Sequence, residues 1–186
     1  MAMPAIPDTV ETIEESLALP EDGLRHELLD GVHVVTPAPS YRHQNLLTQL
    51  LVHLAGAVRD HEGWKVLPSP ADIVLGPKTL VQPDLFVVRL EPETVPTSWR
   101  DVGVPVIAIE SLSPSTAARD RVVKRHIYGE AGVSEYWIVD IDGRVIERWR
   151  PDDDRPEVCD SVLEWALAEG PSGSLDLAAL FGPPTN

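Results

Sequence analysis

The chain has 186 residues, 43% of them hydrophobic, which is typical of one globular domain with a full hydrophobic core. Its formal net charge of −15 argues against broad, nonspecific binding of nucleic acids, because such binding depends on neutralising phosphates. A local basic face or bound metal ions could still offset the acidic body. The single cysteine, Cys159, excludes an internal disulfide and a cysteine-rich zinc site.

No apolar run approaches the roughly 20 residues of a membrane-spanning helix, so no membrane association is expected. The N-terminal sequence MAMPAIPDTV lacks the basic and apolar regions of a signal peptide, which predicts a cytoplasmic protein. We expect an N-terminal tail over residues 1–10, a single domain over residues 11–182 and a C-terminal tail over residues 183–186.

The first elements are indicated by capping and turn signals. Thr12 and Glu15 have the spacing of a capping box, which predicts a short helix. Asp30-Gly31 is a strong turn signal, so its flanks are expected to form a β-hairpin, or a short helix or strand that turns into a strand. Ser40 is predicted to cap a long amphipathic helix over residues 41–61, in which leucines recur at intervals of three and four.

The rest of the chain alternates between apolar runs and turns. Strands are predicted at residues 64–67, 71–75, 84–88, 104–109, 136–140, 145–149 and 158–168, and helices after residue 116 and at 175–181. A helix connects the runs at 104–109 and 136–140, so these two strands should be parallel if they share a sheet. This order predicts an α/β or α+β domain with a central mixed β-sheet.

Two carboxylates stand at the ends of predicted buried strands. Asp84 begins the run at 84–88, and Glu110 directly follows the run at 104–109. If these strands are neighbours, both acids can meet at one place with Lys124 above them. Such a group predicts a phosphodiesterase site, because Mg²⁺ prefers oxygen ligands and can activate water beside a phosphate. A plain turn role for Asp84 remains open, since Pro-Asp pairs are common in turns.

The helix after residue 116 is rich in basic residues. Helical spacing predicts an inward stripe of Val123, Ile127 and Ala131, with Lys124 and Tyr128 on its border. From spacing alone, Lys124 could equally serve only to solvate an exposed helix.

Three further residues are candidates for substrate binding. Arg121 and Arg125 are expected to face solvent or a backbone phosphate, and His43 lies in the first turn of the long helix, where it could reach into a site. For each of them, a solvated or packing role is the alternative.

Several segments together resemble the Uma-two (Uma2) family of restriction-endonuclease-like proteins, and the resemblance covers nearly the whole chain. The matching segments are Arg25-His26-Glu27-Leu28-Leu29-Asp30-Gly31, Pro39-Ser40 with His43-Gln44, Val81-Gln82-Pro83-Asp84-Leu85, Glu110-Ser111-Leu112-Ser113-Pro114-Ser115-Thr116, Lys124-Arg125, Tyr128, Glu135-Tyr136-Trp137-Ile138-Val139-Asp140 and Leu175-Asp176-Leu177-Ala178-Ala179-Leu180-Phe181. The family resemblance implies an α/β fold with a restriction-endonuclease-like core, a central mixed β-sheet flanked by helices.

The resemblance also implies residue roles. The resemblance implies that Asp84 and Glu110 are metal-binding acids and that Glu27 is an additional N-terminal acid at the metal. The resembled family belongs to the PD-(D/E)XK superfamily, in whose usual pattern a lysine stands two residues after the second acid, but Leu112 occupies that position here. The resemblance therefore implies that Lys124, on the following helix, supplies the amine, either to assist water activation or to stabilise charge.

The expected function is that of a DNA endonuclease dependent on Mg²⁺, with Mn²⁺ as a possible substitute. The alternative is a catalytically inactive binding or regulatory protein on a nuclease fold, which the acidic surface and Leu112 favour. A homodimer that uses the helix at 41–61 in its interface is a third, structural hypothesis.

Overall fold

The computed structural model describes residues 10–20, 22–91, 93, 95–113 and 116–183. Most of the predicted tails, residues 1–9 and 184–186, and Pro114 and Ser115 of the predicted turn lie outside the described residues. The α-helices are α1 Ile13–Leu17, α2 Tyr41–Val58, α3 Ala117–Arg119, α4 Arg125–Glu130 and α5 Leu177–Phe181, with a 3₁₀ helix at Trp99–Asp101 and a π-helical turn at Asp120–Lys124 between α3 and α4.

Twelve strands are described, and they form three sheets. They are β1 Arg25–Leu29, β2 Val32–Thr36, β3 Trp64–Pro68, β4 Ile73–Gly76, β5 Thr79–Val81, β6 Leu85–Arg89, β7 Ile107–Ser111, β8 Glu135–Asp140, β9 Val145–Trp149, β10 Glu157–Cys159, β11 Val162–Ala166 and β12 Ser172–Asp176. The central sheet has the order β10-β9-β8-β7-β6-β3, a second sheet has the order β2-β1-β5-β4, and β11 pairs with β12.

The central sheet is mixed, as predicted. Strands β7 and β8 are parallel and are connected through α3, the π-helical turn and α4, whereas the other pairs in this sheet are antiparallel. Alternate residues of its strands face opposite sides. One face packs against α2 and the β11–β12 hairpin, and the other packs against α4. The expected fold class, a central mixed sheet flanked by helices, is therefore confirmed.

Strands β6 and β7 are neighbours, which the sequence analysis required for a joint site. Their antiparallel register pairs Leu85 with Ile109, so that the preceding Asp84 is opposite Glu110. Directly opposed residues lie on the same face of a sheet. The predicted boundary of β7 was wrong, however, since pairing begins at Ile107 and Glu110 lies inside the strand. Pro105 explains the later start, because proline has no N–H to donate to a ladder.

Local signals at the N-terminal half are also confirmed. Thr12 and Glu15 form a capping box on α1. Asp30 and Gly31 both have positive φ and connect β1 to β2 as a two-residue hairpin turn. Ser40 caps α2 by accepting a hydrogen bond from the backbone N–H of His43.

Other boundaries differ from the prediction. Helix α2 ends at Val58 rather than at residue 61. The turn predicted between β4 and β6 contains an additional short strand, β5. The single strand predicted over 158–168 is divided into β10 and β11, and α5 begins at Leu177 because Leu175 pairs within β12. Of the helices in the described ranges, none has both the length and the apolar character needed to span a membrane.

The leucine stripe of α2 contributes to the chain's own core. Its buried residues are Leu46, Leu47, Leu50, Leu54 and Val58. This face therefore packs within the protein, and a homodimer through α2 would need the helix's other faces. The homodimer stays a prediction.

The α2 core contact can be measured with two substitutions on the same helix. Leu50 is fully buried, so we expect Leu50→Ala to lower the free energy of unfolding by about 2–5 kcal/mol through lost burial and a residual cavity. Val52 is 69% exposed, and Val52→Ala should change the free energy of unfolding by no more than about 0.5 kcal/mol. Urea denaturation of both variants checks this, and equal effects would contradict the assigned orientation of α2.

Candidate metal and phosphodiester site

The candidate site lies where the chain passes from the second sheet into the central sheet. Residues 82–84 connect β5 to β6, and Asp84 ends this connection. Glu110 projects from the neighbouring β7, on the side covered by α4. Glu27 and Arg25 lie two residues apart on β1 of the second sheet, so they share one face of that strand. Two sheets and one helix therefore contribute to the same cluster.

Arg25, on the second sheet, contacts Asp84 at the start of a strand of the central sheet. Its Nη2 donates a hydrogen bond of 2.6 Å to Oδ1 of Asp84, and its Nη1 lies 3.9 Å from Oε2 of Glu110. The other oxygen of Asp84, Oδ2, accepts from the backbone N–H of Ser111 at 2.8 Å and lies 3.2 Å from Nε2 of His43. Asp84 is thus held on both oxygens.

Lys124 connects the two sheets by contacting Glu110 of the central sheet and Glu27 of the second sheet. Its Nζ lies 2.7 Å from Oε1 of Glu110 and 2.8 Å from Oε1 of Glu27. The hydroxyl of Tyr128 donates to the same oxygen of Glu110 at 2.9 Å. Glu27 also accepts from the backbone N–H of Gln82 at 2.8 Å. Lys124 therefore lies against Glu110 and Glu27, and it lines the same cavity as Asp84.

The π-helical turn places Lys124 more deeply than the sequence analysis predicted. Lys124 is 1% exposed, whereas Val123, which was predicted to lead the inward stripe, is 38% exposed. The predicted inward position of Val123 was wrong because the prediction assumed uninterrupted α-helical spacing. A π-helical turn bonds residues five apart, which rotates the following side chains relative to the preceding ones. As a result Asp120 and Lys124 both face inward.

Asp120 is a fourth buried carboxylate in the cluster. It is 2% exposed, and its Oδ1 has no hydrogen-bond partner among the described residues. Its nearest ion-pair contact is Nε of Arg119, at 3.8 Å. Oε2 of Glu27 is likewise buried without a hydrogen-bond partner in the described part of the chain.

With all its carboxylates ionised, the cluster would carry more negative than positive charge. Four carboxylates (Glu27, Asp84, Glu110 and Asp120) surround Arg25 and Lys124, with Arg119 at the margin. Even with all three cations counted, one negative charge would then be in excess. Buried charge of this kind must be neutralised by protonation or by a further cation.

The environment separates the proton affinities of the two acids. Burial acts to raise the pKa of Asp84, but His43, Arg25 and the Ser111 N–H outweigh it and lower that pKa to about 2. Burial raises the pKa of Glu110 to about 8, with Lys124 opposing the rise and the neighbouring carboxylates adding to it. In this arrangement Asp84 stays ionised at neutral pH, whereas Glu110 keeps its proton to a higher pH than an ordinary glutamate does.

Lys124 keeps its proton. Burial acts to lower its pKa, but the carboxylates of Glu110, Glu27 and Asp120 outweigh burial and raise that pKa above its ordinary value. A charged ammonium can donate hydrogen bonds and stabilise negative charge, but it cannot accept a proton from water.

A cavity of about 290 Å³ opens onto this cluster. The charged or ionisable side chains that matter for the site and line the cavity are Arg25, His43, Asp84, Glu110, Asp120 and Lys124. His43 is thus brought to the site, as the sequence analysis allowed. Neither Arg121 nor Arg125 lines this cavity.

The two arginines have other contacts. Arg121 pairs with Glu147 at 2.6 Å and with Asp140 at 3.0 Å. The guanidinium of Arg125 lies 4.0 Å from the ring centre of Trp149. Both arginines thus have partners outside the cavity, and the substrate-binding roles of Arg121 and Arg125 stay predictions.

The donors at the site fit a hard divalent cation. The acids offer only oxygens, the four of them would outnumber the three cations if all were ionised, and Glu27 and Asp120 each present a buried oxygen without a hydrogen-bond partner among the described residues. Within the described ranges, however, no three His, Cys, Asp or Glu side chains are already grouped to hold a metal ion. Mg²⁺ typically uses one or two carboxylates together with waters and substrate phosphates, so two acids are a sufficient protein contribution.

Sequence reasoning missed three members of the cluster as functional residues: Arg25, Asp120 and Tyr128 in its contact with Glu110. Arg25 and Glu27 are two residues apart on a strand and so share one face, which could have indicated that both face the same buried site. Asp120 and Lys124 are four residues apart, a spacing that also suggested one face. Their burial could not be read from the sequence, since it depends on the π-helical turn.

The raised pKa of Glu110 predicts a pH dependence of stability for the metal-free protein. The folded state holds this proton up to about pH 8, whereas the unfolded state releases it near 4.5. Between these values the folded state binds more protons, so the free energy of unfolding should fall as pH rises. Urea denaturation in EDTA from pH 5 to pH 8 should show a shallower decline for Glu110→Gln than for wild type. Parallel pH profiles would contradict this protonation state.

Comparison with known proteins provides independent information about the fold and family. A crystal structure at 1.96 Å, described as "a putative nuclease belonging to DUF820 from Anabaena variabilis ATCC 29413", superimposes with a TM-score of 0.72. The match covers 91% of this chain and 97% of that one at 18% sequence identity, and it shows a shared fold. No curated protein sequence matches significantly.

The sequence model of one family matches residues 13–177, which include every residue of the cluster described above. That family is Uma2, whose description is "Putative restriction endonuclease". The resemblance found in the sequence is thereby confirmed, and this chain belongs to the Uma2 family.

Proposed function

We propose that this protein is a divalent-metal-dependent endonuclease that hydrolyses phosphodiester bonds of DNA. The observation that carries the proposal is the convergence of Asp84, Glu110 and Lys124 in one cavity, although they come from separate elements. Membership of the Uma2 family supports a nuclease activity.

Asp84 and Glu110 are the proposed metal-binding acids, with Glu27 as the additional acid. Magnesium, or manganese in its place, would supply an activated water and stabilise charge on the phosphate. The contribution of Asp84 is a carboxylate that stays ionised at neutral pH, because its pKa is about 2. Glu110 must release its proton to act as a ligand, and its pKa of about 8 makes metal binding and proton release coupled.

Lys124 is proposed to stabilise charge rather than to act as a base. Its raised pKa keeps the ammonium protonated, so it can donate to an oxygen that becomes more negative in the transition state. Its two contacts fix its position between Glu27 and Glu110. Tyr128 donates to the same oxygen of Glu110 and helps to orient this carboxyl group.

The substrate would approach through the cavity at the N-terminus of α2. Ser40 and His43 line this part of the wall. The positive end of a helix dipole favours a phosphate there, and Arg119 adds a positive charge to the lining of the same cavity. These local features would offset the acidic body of the protein, whose net charge is −15.

A non-catalytic binding protein is the second candidate, and one observation favours it. Arg25 and Lys124 already pair with the two acids, so the site has partial charge compensation without metal. A protein that uses this cluster only for structure would keep these pairs permanently.

Cleavage of supercoiled plasmid separates the two candidates. We expect wild-type protein to nick or linearise DNA with Mg²⁺ or Mn²⁺ and to be inactive in EDTA. Asp84→Asn and Glu110→Gln remove a ligand charge with little change in shape, and each should reduce the cleavage rate by about 100-fold or more. Glu164→Gln alters an exposed carboxylate on β11 and should cleave like wild type. Full activity in Asp84→Asn would place the chemistry elsewhere, and folded but inactive wild type would favour the binding protein.

The role of Lys124 can be measured in the same assay. Lys124→Met keeps a long side chain but removes the charge, so the cleavage rate should fall by about 100-fold or more. The exposed Lys65 on β3 provides the matched control, and Lys65→Met should have no effect on the rate. Circular dichroism confirms folding, because removal of one partner from buried ion pairs can cost about 3–5 kcal/mol. Wild-type rates in folded Lys124→Met would remove this lysine from the mechanism.

A further inference from the structure

Arg25 occupies a position from which it contacts both proposed metal-binding acids. Nη2 lies 2.6 Å from Asp84, and Nη1 lies 3.9 Å from Glu110. The arginine side chain is 19% exposed, whereas the acids are 1% and 3% exposed. In the described part of the chain, these two acids are its ion-pair partners.

A divalent ion bound by both acids would compete with this guanidinium. Two cations held against the same carboxylates repel each other strongly where water is scarce, since screening is weak there. The oxygen Oδ1 of Asp84 that receives the short hydrogen bond from Arg25 is also a lone-pair donor that a metal would need. The metal and Arg25 therefore draw on the same negative charge.

Displacement from the acids would leave the guanidinium in need of another anion. An unpaired charge at a largely buried position is costly, so Arg25 would not remain there without a partner. A phosphodiester is a suitable partner because the planar fork of an arginine matches the two free oxygens of a phosphate. Arg25 has room to turn, as it lines both the site cavity and an adjacent cavity of about 710 Å³.

We propose that Arg25 holds the acids in the metal-free protein and transfers to a phosphate of the DNA when the metal ion binds. This inference rests on the proposed function and adds a role for a residue that lies outside the acid–lysine group. It has a thermodynamic consequence. DNA that attracts Arg25 releases the acids, so DNA and metal increase each other's affinity by the same factor.

Calorimetric titration with Ca²⁺ tests the competition without relying on turnover. In the absence of DNA, Arg25→Gln should bind Ca²⁺ about tenfold more tightly than wild type or better, because a competing positive charge has been removed. Arg25→Lys keeps the charge and should stay close to wild type. Arg42 lines the same cavity but pairs with Asp142, so Arg42→Gln is the matched control and should also stay close to wild type.

The second titration adds a short DNA duplex whose integrity is verified on a gel. The duplex should raise the Ca²⁺ affinity of wild type several-fold and leave that of Arg25→Gln unchanged. Equal Ca²⁺ affinities of folded wild type and Arg25→Gln would overturn the inference, as would an undiminished DNA effect in Arg25→Gln. If the Ca²⁺ affinities change as predicted but the wild-type protein does not cleave DNA, the competition between Arg25 and the metal is supported and only the nuclease assignment is overturned. No Ca²⁺ binding by any variant would overturn both.

Discussion

The buried ion pairs at the junction of the two sheets determine much of the structure around the site. Lys124 contacts Glu27 of one sheet and Glu110 of the other through a single ammonium group. Arg25 makes the equivalent connection to Asp84. Because these charges are buried, each depends on its partner, and loss of one leaves the other unpaired. The residues of the candidate site therefore also fix how the two sheets are placed relative to each other.

The same constraint explains why the site is suited to a cation. Four carboxylates in a poorly solvated space cannot all be ionised beside three positive groups without a large electrostatic cost. In the metal-free protein the raised pKa of Glu110 lowers this cost through protonation. A divalent ion would do so instead by replacing the proton, so metal binding, proton release and the position of Arg25 would form one coupled system.

Sequence patterns indicated the two acids but not all their neighbours. Asp84 and Glu110 adjoin apolar runs, whereas the pairing of their strands was left open by the sequence and is given by the fold. Lys124 was assigned to the correct helix, yet its full burial depends on a π-helical turn that the pattern did not indicate. Arg25 became a candidate only when β1 was seen to face the central sheet. Such relations between distant elements cannot be derived from local periodicity.

The basic residues also show that local sequence patterns do not determine which side chains line the cavity. Arg121 and Arg125 looked like substrate contacts because they lie on a basic helix beside the site. The fold instead provides Glu147 for one and Trp149 for the other, both from β9. Charge alone therefore did not identify which arginines face the cavity, and the contact of Arg25 with Asp84 follows only from the fold.

The proposed metal site is tested most directly by an anomalous-scattering map from crystals of the protein soaked with Mn²⁺. We expect a peak in contact with both Asp84 and Glu110, with the Arg25 guanidinium moved away from Asp84. Full Mn²⁺ occupancy at other residues, with Arg25 and Lys124 still paired to these acids, would contradict it.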